Sequence, residues 1–356
     1  YARELIPRLA ALPGIEPVCF VNREAAGEAG APWGGAAPVH VVPVRARRRA
    51  EWVRGEQWDV PRMAARHGMD AIHSLASTGP VRGPVPRLTT VHDLHYVNVP
   101  EAHFGLRSLG MRVLVPAAAR ASRRVIADSA STRDDVVAHL GVPADRVDVV
   151  HLGVAPPSVP PTPAAELRRT LGLGARPVVL SVSAKRPHKN LDRLLQALAQ
   201  RPPDDRPILV VPGYPTPYEA ELRRRAQDLG VQRDVVWPAW LSAADLEGLY
   251  ALARCVVFPS LAEGFGLPVA EAMARGVPVA TSDRSSMPEV AGGAALLFDP
   301  EDPAAIADAM RRLLTDDALA ERLRRAGRAR AAELTWERTA AGTAASYRRA
   351  LGRAAA

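Results

Sequence analysis

The chain has 356 residues, 47% hydrophobic and 24% charged, the proportions of an ordinary globular protein too long for one core, so two domains are expected. No apolar run approaches the ~20 residues that span a bilayer and no signal peptide is visible; Cys19 and Cys255, both in predicted buried strands, read as core thiols of a reducing, cytoplasmic compartment and not as a disulfide or a metal site. The net charge is +8, spread as 19 basic against 15 acidic residues in 1–150 and 27 against 23 beyond, and no stacking aromatics interleave the Arg clusters, which argues against nucleic acid as a partner.

In chain order, YARELIPRLAAL reads as an amphipathic helix with Leu5, Leu9 and Leu12 on one side. Pro17 to Val21 and Val39 to Val44 read as strands around a Gly- and Ala-rich loop at 24–37. Arg45, Arg47, Arg48 and Arg49 follow, as do Arg120, Arg123 and Arg124 later; each cluster is either a solvated face or a contact for an anionic membrane surface or phosphorylated ligand. Glu56 to His67 reads as helical and Asp70 to Ser74 as a strand. Leu88 to Val91 is a strand that ends at His92 and Asp93, before a polar, aromatic loop, His95-Tyr96-Val97-Asn98. A helix around Ser108 to Ser122, a strand at Arg124 to Asp128, a helix at Ser131 to Leu140 and a strand at Val147 to His151 complete the first half. Alternating strands and helices imply a parallel, doubly wound sheet.

The Pro-dense segment APPSVPPTPAAE is a stiff, polar linker candidate. The division is therefore 1–154 for the first domain, 155–172 for the linker, 173–335 for the second domain and 336–356 for a last helix. The second domain alternates again: strands at Val178–Val182, Ile208–Val211, Val235–Trp237, Cys255–Phe258, Val277–Ala280 and Ala295–Phe298, with helices between and after them. Ligands of such sheets sit beyond the carboxyl ends of the strands. Only two of the 46 basic residues are lysines, Lys185 and Lys189, both in SVSAKRPHKNLDRLL. A chain that uses Arg elsewhere keeps Lys where a compact ammonium is wanted. Asp204 and Asp205 resemble a metal pair but lie in a Pro-flanked loop expected to be exposed.

The stretch CVVFPSLAEGFGLPVAEAMARGVPVATS organises the second domain. An apolar strand, Cys255–Phe258, ends at Pro259. Gly264 and Gly266 then allow close backbone approach, Pro268 suits a first helical turn, and Gly276 stops the helix. The helix start favours an anion, while Glu263 and Glu271 are better suited to hydroxyls, so a ligand with both phosphate and sugar is expected.

Glu263 and Glu271 around GFGLP, followed by EAMARGVPVATSD and Pro288-Glu289-Val290, resemble the signature of the retaining glycosyltransferases of family 4 (group 1 glycosyl transferases), which have the glycosyltransferase-B fold. The resemblance covers nearly the whole chain, more weakly in its first half. It implies two doubly wound, Rossmann-like α/β domains facing a cleft, with the last helix packing back on the first. It also implies that a strand and a Gly-rich loop precede a Tyr-containing helix like the one at Tyr1, so the chain looks partial, with a sheet edge exposed.

By the same resemblance Lys189 contacts the donor diphosphate, with Arg186 or Lys185 as second cation, since Ser183 and Ala184 stand where the family often has Arg. Glu263 holds hydroxyls of the donor sugar, Glu271 the ribose, and Gly264, Phe265, Gly266 and Leu267 offer backbone to sugar and phosphate. His92 lines the sugar pocket from the first domain, and Trp240 and Leu241 either receive the base or pack in the core. Catalysis would rest on Glu263, His92 and Lys189, with no metal and no cofactor beyond the nucleoside diphosphate sugar that is the substrate. The implied reaction is transfer of a hexose, mannose by the flavour of TVHDL and HKNL, from a GDP- or UDP-linked donor to a glycan or lipid-linked acceptor. A nucleotide-sugar epimerase of the same fold, or a binding protein without turnover, are the alternatives; a dinucleotide-dependent dehydrogenase is disfavoured because GFGLPV lacks the third glycine.

Overall fold

The computed structural model describes residues 1–27, 35–98 and 106–353, and it divides into two compact units. One holds residues 1–98, the chain from residue 106 to Gly153, and everything from Thr335 onward; the other runs from Val154 to Leu334.

The first unit carries β1 (Cys19–Val21), β2 (Val39–Val41), β3 (Ile72–Ser74), β4 (Arg87–Val91), β5 (Arg124–Ala127) and β6 (Val147–Val149). They form two parallel sheets and not one: β3-β4-β5-β6, and a separate pair β1-β2 with Cys19 opposite Val39. Cys19 is half-buried in that pair, against the expectation of a core thiol, whereas Cys255 is buried and its thiol is pushed up to about 12 by burial. The Ala2–Ala10 helix lays Leu5 and Leu9 against Ala340 and Ala344 of the Trp336–Ala350 helix. Gly153, at the end of the first half, admits the start of the second helix closely: an added Cβ would lie 2.2 Å from the Trp336 backbone nitrogen.

Two local readings change. The helical region after the Arg cluster begins earlier, at Arg49, running Arg49–Arg54 and Val60–Arg66 with a π-turn, Gly55–Asp59, between them. Gly55 faces Val44 at a distance that leaves no room for a side chain. His95–Asn98 is a short helix, not a loop, because the Asp93 carboxylate accepts from the His95 backbone at 3.0 Å and starts a turn. The rest of the segment after Asn98 lies outside the described residues until Leu106, where the Leu106–Ala121 helix starts.

The second unit holds β7 (Val178–Leu180), β8 (Ile208–Val210), β9 (Val235–Val236), β10 (Cys255–Phe258), β11 (Val279–Ser282) and β12 (Leu296–Phe298) in one parallel sheet, ordered β12-β11-β10-β7-β8-β9. The chain leaves β7 toward β8 and later returns to β10 on the other side of β7. The loops that follow β7 and β10 therefore diverge from neighbouring strand ends, which opens a crevice at a topological switch point. Leu194, Leu195 and Leu198 of the Leu191–Ala199 helix and Ile306, Met310 and Leu313 of the Pro303–Thr315 helix pack with Val179, Val257 and Ala280 on one face. Part of the expected linker is structured: Ala164–Thr170 is a helix with Leu167 buried, and Thr162 donates to Asp245 at 2.7 Å. Pro163 and the Ala-Ala-Glu-Leu after it are a good helix start, and Gly248 lets Leu167 approach.

Candidate active site

The switch point brings Lys189 and Glu263 together. Lys189 ends the 3₁₀ turn Pro187–Lys189 after β7, and Glu263 lies in the loop after β10. Their Nζ and Oε1 are 2.5 Å apart, with the side chains 15% and 10% exposed, so the pair is largely withdrawn from water. The ammonium also stands 5.3 Å over the Phe258 ring. Asn190, at φ +58, closes the turn, its amide donating to the carbonyls of Pro259 and Pro300 at 3.0 and 2.7 Å.

Gly266 caps the Leu267–Ala274 helix in a left-handed conformation, φ +99, and an added Cβ would lie 2.2 Å from Met287 Cε. Gly264 does not share this positive φ, so only one of the two glycines is required by backbone geometry. Phe265 and Gly264 are buried, and Leu267 is partly exposed at the helix start. The first turn of this helix directs N–H groups and positive dipole toward the crevice.

Glu271 lies five residues beyond Gly266, about 7 Å along the helix at ~1.5 Å per residue. It accepts from the Tyr250 hydroxyl at 3.2 Å. Burial raises the Glu271 carboxyl above its ordinary range, and the nearby Arg275 charge and the Tyr250 hydrogen bond offset this only in part. Arg275 is itself bonded to Glu247 at 2.7 Å and lies over the Tyr250 ring. Glu271 is thus bonded to neither Lys189 nor Glu263 but occupies the same helix-and-loop element as the latter.

Lys185 is no phosphate cation. Its side chain is fully buried, and Nζ donates to the carbonyls of Gly213 at 2.6 Å and Pro238 at 3.2 Å, with Glu219 at 3.9 Å. Burial lowers its pKa, and Glu219 works the other way. It braces three loops at the carboxyl edge of β7, β8 and β9. Arg186, by contrast, is exposed. Trp240 is 73% exposed, so it is not a core residue; it meets Tyr214, which is 63% exposed, at 5.3 Å between ring centroids, and Leu241 is partly exposed beside it. The carbonyls that Lys185 holds flank these two aromatic residues in sequence. A cavity of about 440 Å³ lies behind the loop, lined by Pro187, His188, Asn190, Tyr218, Arg225 and Leu261 but by neither member of the ion pair. Asp204 and Asp205 are exposed, and Asp205 pairs with Arg201. Among the described residues no group of three His, Cys, Asp or Glu is placed to hold a metal ion.

His92 belongs to the first unit, at the end of β4. Nδ1 meets Asp128 Oδ2 at 2.6 Å and Nε2 meets the Leu75 carbonyl at 2.8 Å, while Tyr1 stands edge-on at 4.8 Å. Burial disfavours the imidazolium, but the bond and charge of Asp128 outweigh it and raise the His92 pKa. Both ring nitrogens are engaged within the unit. Asp128, Tyr250, Tyr214, Ser285 and Ser286 were not singled out in the sequence. They are lone polar or aromatic residues on other elements, and only the fold places them beside His92, Glu271, Trp240 and Glu263.

Residues 164–330 match the family described as Glycosyl transferases group 1, and residues 1–156 match Glycosyltransferase Family 4. The chain is similar to O-antigen chain mannosyltransferase B of Escherichia coli, at 31% identity over 73% of this chain and 70% of that protein. It is also similar to D-inositol 3-phosphate glycosyltransferase of Acidothermus cellulolyticus, at 31% identity over 88% of this chain and 72% of that one. In fold it resembles the crystal structure of Anabaena Alr3699/HepE in complex with UDP and glucose, with a TM-score of 0.73 and 21% identity over 97% of this chain and 95% of that chain. Family, relatives and the two parallel-sheet units agree: the chain belongs to the group 1 glycosyl transferases, the glycosyltransferases of family 4 with the glycosyltransferase-B fold.

Proposed function

We propose that this glycosyltransferase moves a hexose from a nucleoside diphosphate sugar to a hydroxyl of a glycan or lipid-linked acceptor, with retention and without a metal. The observation that carries the reading is the Lys189–Glu263 pair set before a glycine-capped helix. A cation and a helix start suit the leaving diphosphate, and a carboxylate suits sugar hydroxyls. In this reading the donor separates the pair: Lys189 turns to the diphosphate, with Arg186 as a second, solvent-side cation. Glu263 takes hydroxyls of the sugar near its anomeric carbon, and the backbone of Gly264 to Leu267 lines sugar and phosphate. Glu271 holds the ribose, Trp240 and Leu241 face the base, and His92 serves the sugar from the first unit.

The acceptor oxygen then bonds to the anomeric carbon on the face from which the diphosphate departs. The bond from that carbon to the phosphate oxygen breaks with its electron pair going to the phosphate, and the acceptor proton passes to a leaving phosphate oxygen. Mannose is the preferred sugar, a choice supported by the name of the Escherichia coli relative, with GDP as its proposed carrier; the UDP in the Anabaena structure keeps a UDP-linked hexose in the panel. Contact with an anionic membrane, where a lipid-linked acceptor would reside, is part of the reading. No helix among the described residues is long and apolar enough to cross a membrane.

The test is a panel of GDP- and UDP-linked hexoses, with and without EDTA, read as thermal stabilisation, which grows as ln(1 + [L]/Kd). One donor is expected to shift the midpoint by several degrees, with EDTA making no difference. Lys189→Ala and Glu271→Ala are each expected to abolish the shift. An undiminished shift in both variants would remove the site assignment.

A further inference from the structure

Among the described residues only three other than glycine have positive φ: Ser77, Asn190 and Ser285. Two of them back the ion pair. Asn190 follows Lys189 directly, and Ser285, at φ +56, stands against Glu263. A left-handed serine is held at a cost that the surroundings must outweigh. The hydrogen bonds around it show what is gained.

Ser285 Oγ donates to the Glu263 carbonyl at 2.7 Å and accepts from the Glu263 backbone N–H at 3.2 Å, so one hydroxyl grips both sides of the same residue. Ser286, fully buried, places its Oγ 2.8 Å from the Phe265 carbonyl and 3.1 Å from that of Glu263. Met287, the next residue, fills the space over Gly266 that a side chain there would need. Three consecutive residues after β11, two in the loop and one opening the Met287–Ala291 helix, thus shape the turn from Glu263 to Gly266. That turn lies between the end of β10 and the first residue of the Leu267–Ala274 helix.

We propose that Ser285 and Ser286 are positioning residues, a two-hydroxyl clamp that sets the direction of the Glu263 carboxylate and of the backbone N–H groups behind it. The proposal rests on the donor reading for its functional consequence, though not for the clamp itself. Either hydroxyl lost lets the turn relax, and the carboxylate is then no longer presented at a fixed distance from the sugar. The nucleoside diphosphate, held by Lys189 and Glu271, depends on the clamp much less. The clamp therefore governs how much better the enzyme binds the nucleotide sugar than the bare nucleotide.

The experiment has two arms on the full chain, using Ser285→Ala and Ser286→Ala. In the first, hydrogen exchange of the ligand-free protein is expected to quicken in residues 262–268 and stay unchanged in β7; no change at 262–268 in either variant would overturn the clamp. In the second, affinities are measured for the nucleoside diphosphate and for its sugar conjugate. Each variant is expected to lower the ratio of the two about tenfold in the parent protein, the scale of one hydrogen bond, and by less than about twofold when Glu263→Gln is already present. Equal losses in both backgrounds would mean a general lesion and overturn the positioning role. If the parent protein binds no nucleotide sugar, the donor reading fails, and the exchange arm still decides whether the serines hold the turn.

Discussion

Glu271, which the proposed reading sets against the ribose, is a liability in the ligand-free protein. Burial raises its carboxyl, and Arg275 and the Tyr250 hydroxyl return only part of what solvent would give, with the Glu247 charge adding to the rise. A raised folded-state value means that the folded chain favours the protonated form. The stabilisation is fully present below the ordinary value of 4.5 and fades as the pH rises through the higher folded value. At neutral pH the buried carboxylate is a net cost that glutamine, of the same shape, does not carry. Glu271→Gln is therefore expected to raise the thermal midpoint of the ligand-free protein at about pH 8, with the gain disappearing near pH 4, while the donor-induced shift is lost. Thermal scans across pH decide this; a variant less stable at pH 8 would show that the carboxylate is a structural partner of Tyr250. The two lysines mark what a sequence can convey at this scale. Their rarity was visible, and so was the reason to choose an ammonium, but one proved to face Glu263 and the other to brace Gly213 and Pro238 inside the fold. Compactness was the common cause, and only packing separates the uses.

At the scale of elements, the strand ends and the glycine-capped helix were legible because Cys255–Phe258 is a continuous apolar run and Gly, Pro and Gly punctuate the loop and helix after it. Of the helical region from Arg49 to Arg66 only the later part was, because a π-turn interrupts its period and hid the Arg49–Arg54 start. With the turn in place, Arg54, Trp58, Arg62 and Arg66 are all exposed at intervals of four. Arg62 lies 5.1 Å over the Trp58 ring, which is itself 57% exposed, so the face combines cations with an amphipathic aromatic residue. Such a face complements an anionic lipid surface, where each cation contributes about 1 kcal/mol. Replacing Arg54, Arg62 and Arg66 by Glu is expected to weaken sedimentation with phosphatidylserine-containing vesicles by about 100-fold or more, and to leave the small background with neutral vesicles unchanged. Equal binding of parent and variant to anionic vesicles would leave this face to solvent.

The path of the whole chain makes the two units unequal as folding units. Among the described residues, a large core cluster of the second unit draws its buried members from Val179 to Leu323. The first unit needs both ends. Leu5 and Leu9 are covered by Ala340 and Ala344, Arg8 pairs with Glu337 at 2.7 Å, and His73 Nδ1 meets the Tyr347 hydroxyl at 2.8 Å. Burial keeps His73 neutral, its pKa near 3, so the bond to Tyr347 and the one from its other nitrogen to Thr90 at 2.7 Å are neutral hydrogen bonds inside the unit. Removing the Trp336–Ala350 helix would take Tyr347 away from buried His73 and expose two leucines, a loss of several kcal/mol against a total stability of about 5–15. Residues 154–334 expressed alone are therefore expected to unfold in one cooperative transition and to retain stabilisation by a nucleoside diphosphate. Residues 1–153 alone are expected to show no cooperative transition, and joining 335–353 ahead of Tyr1 through a flexible linker should restore one. Cooperative unfolding of 1–153 without the last helix would show that the helix is an accessory to that core and not a part of it.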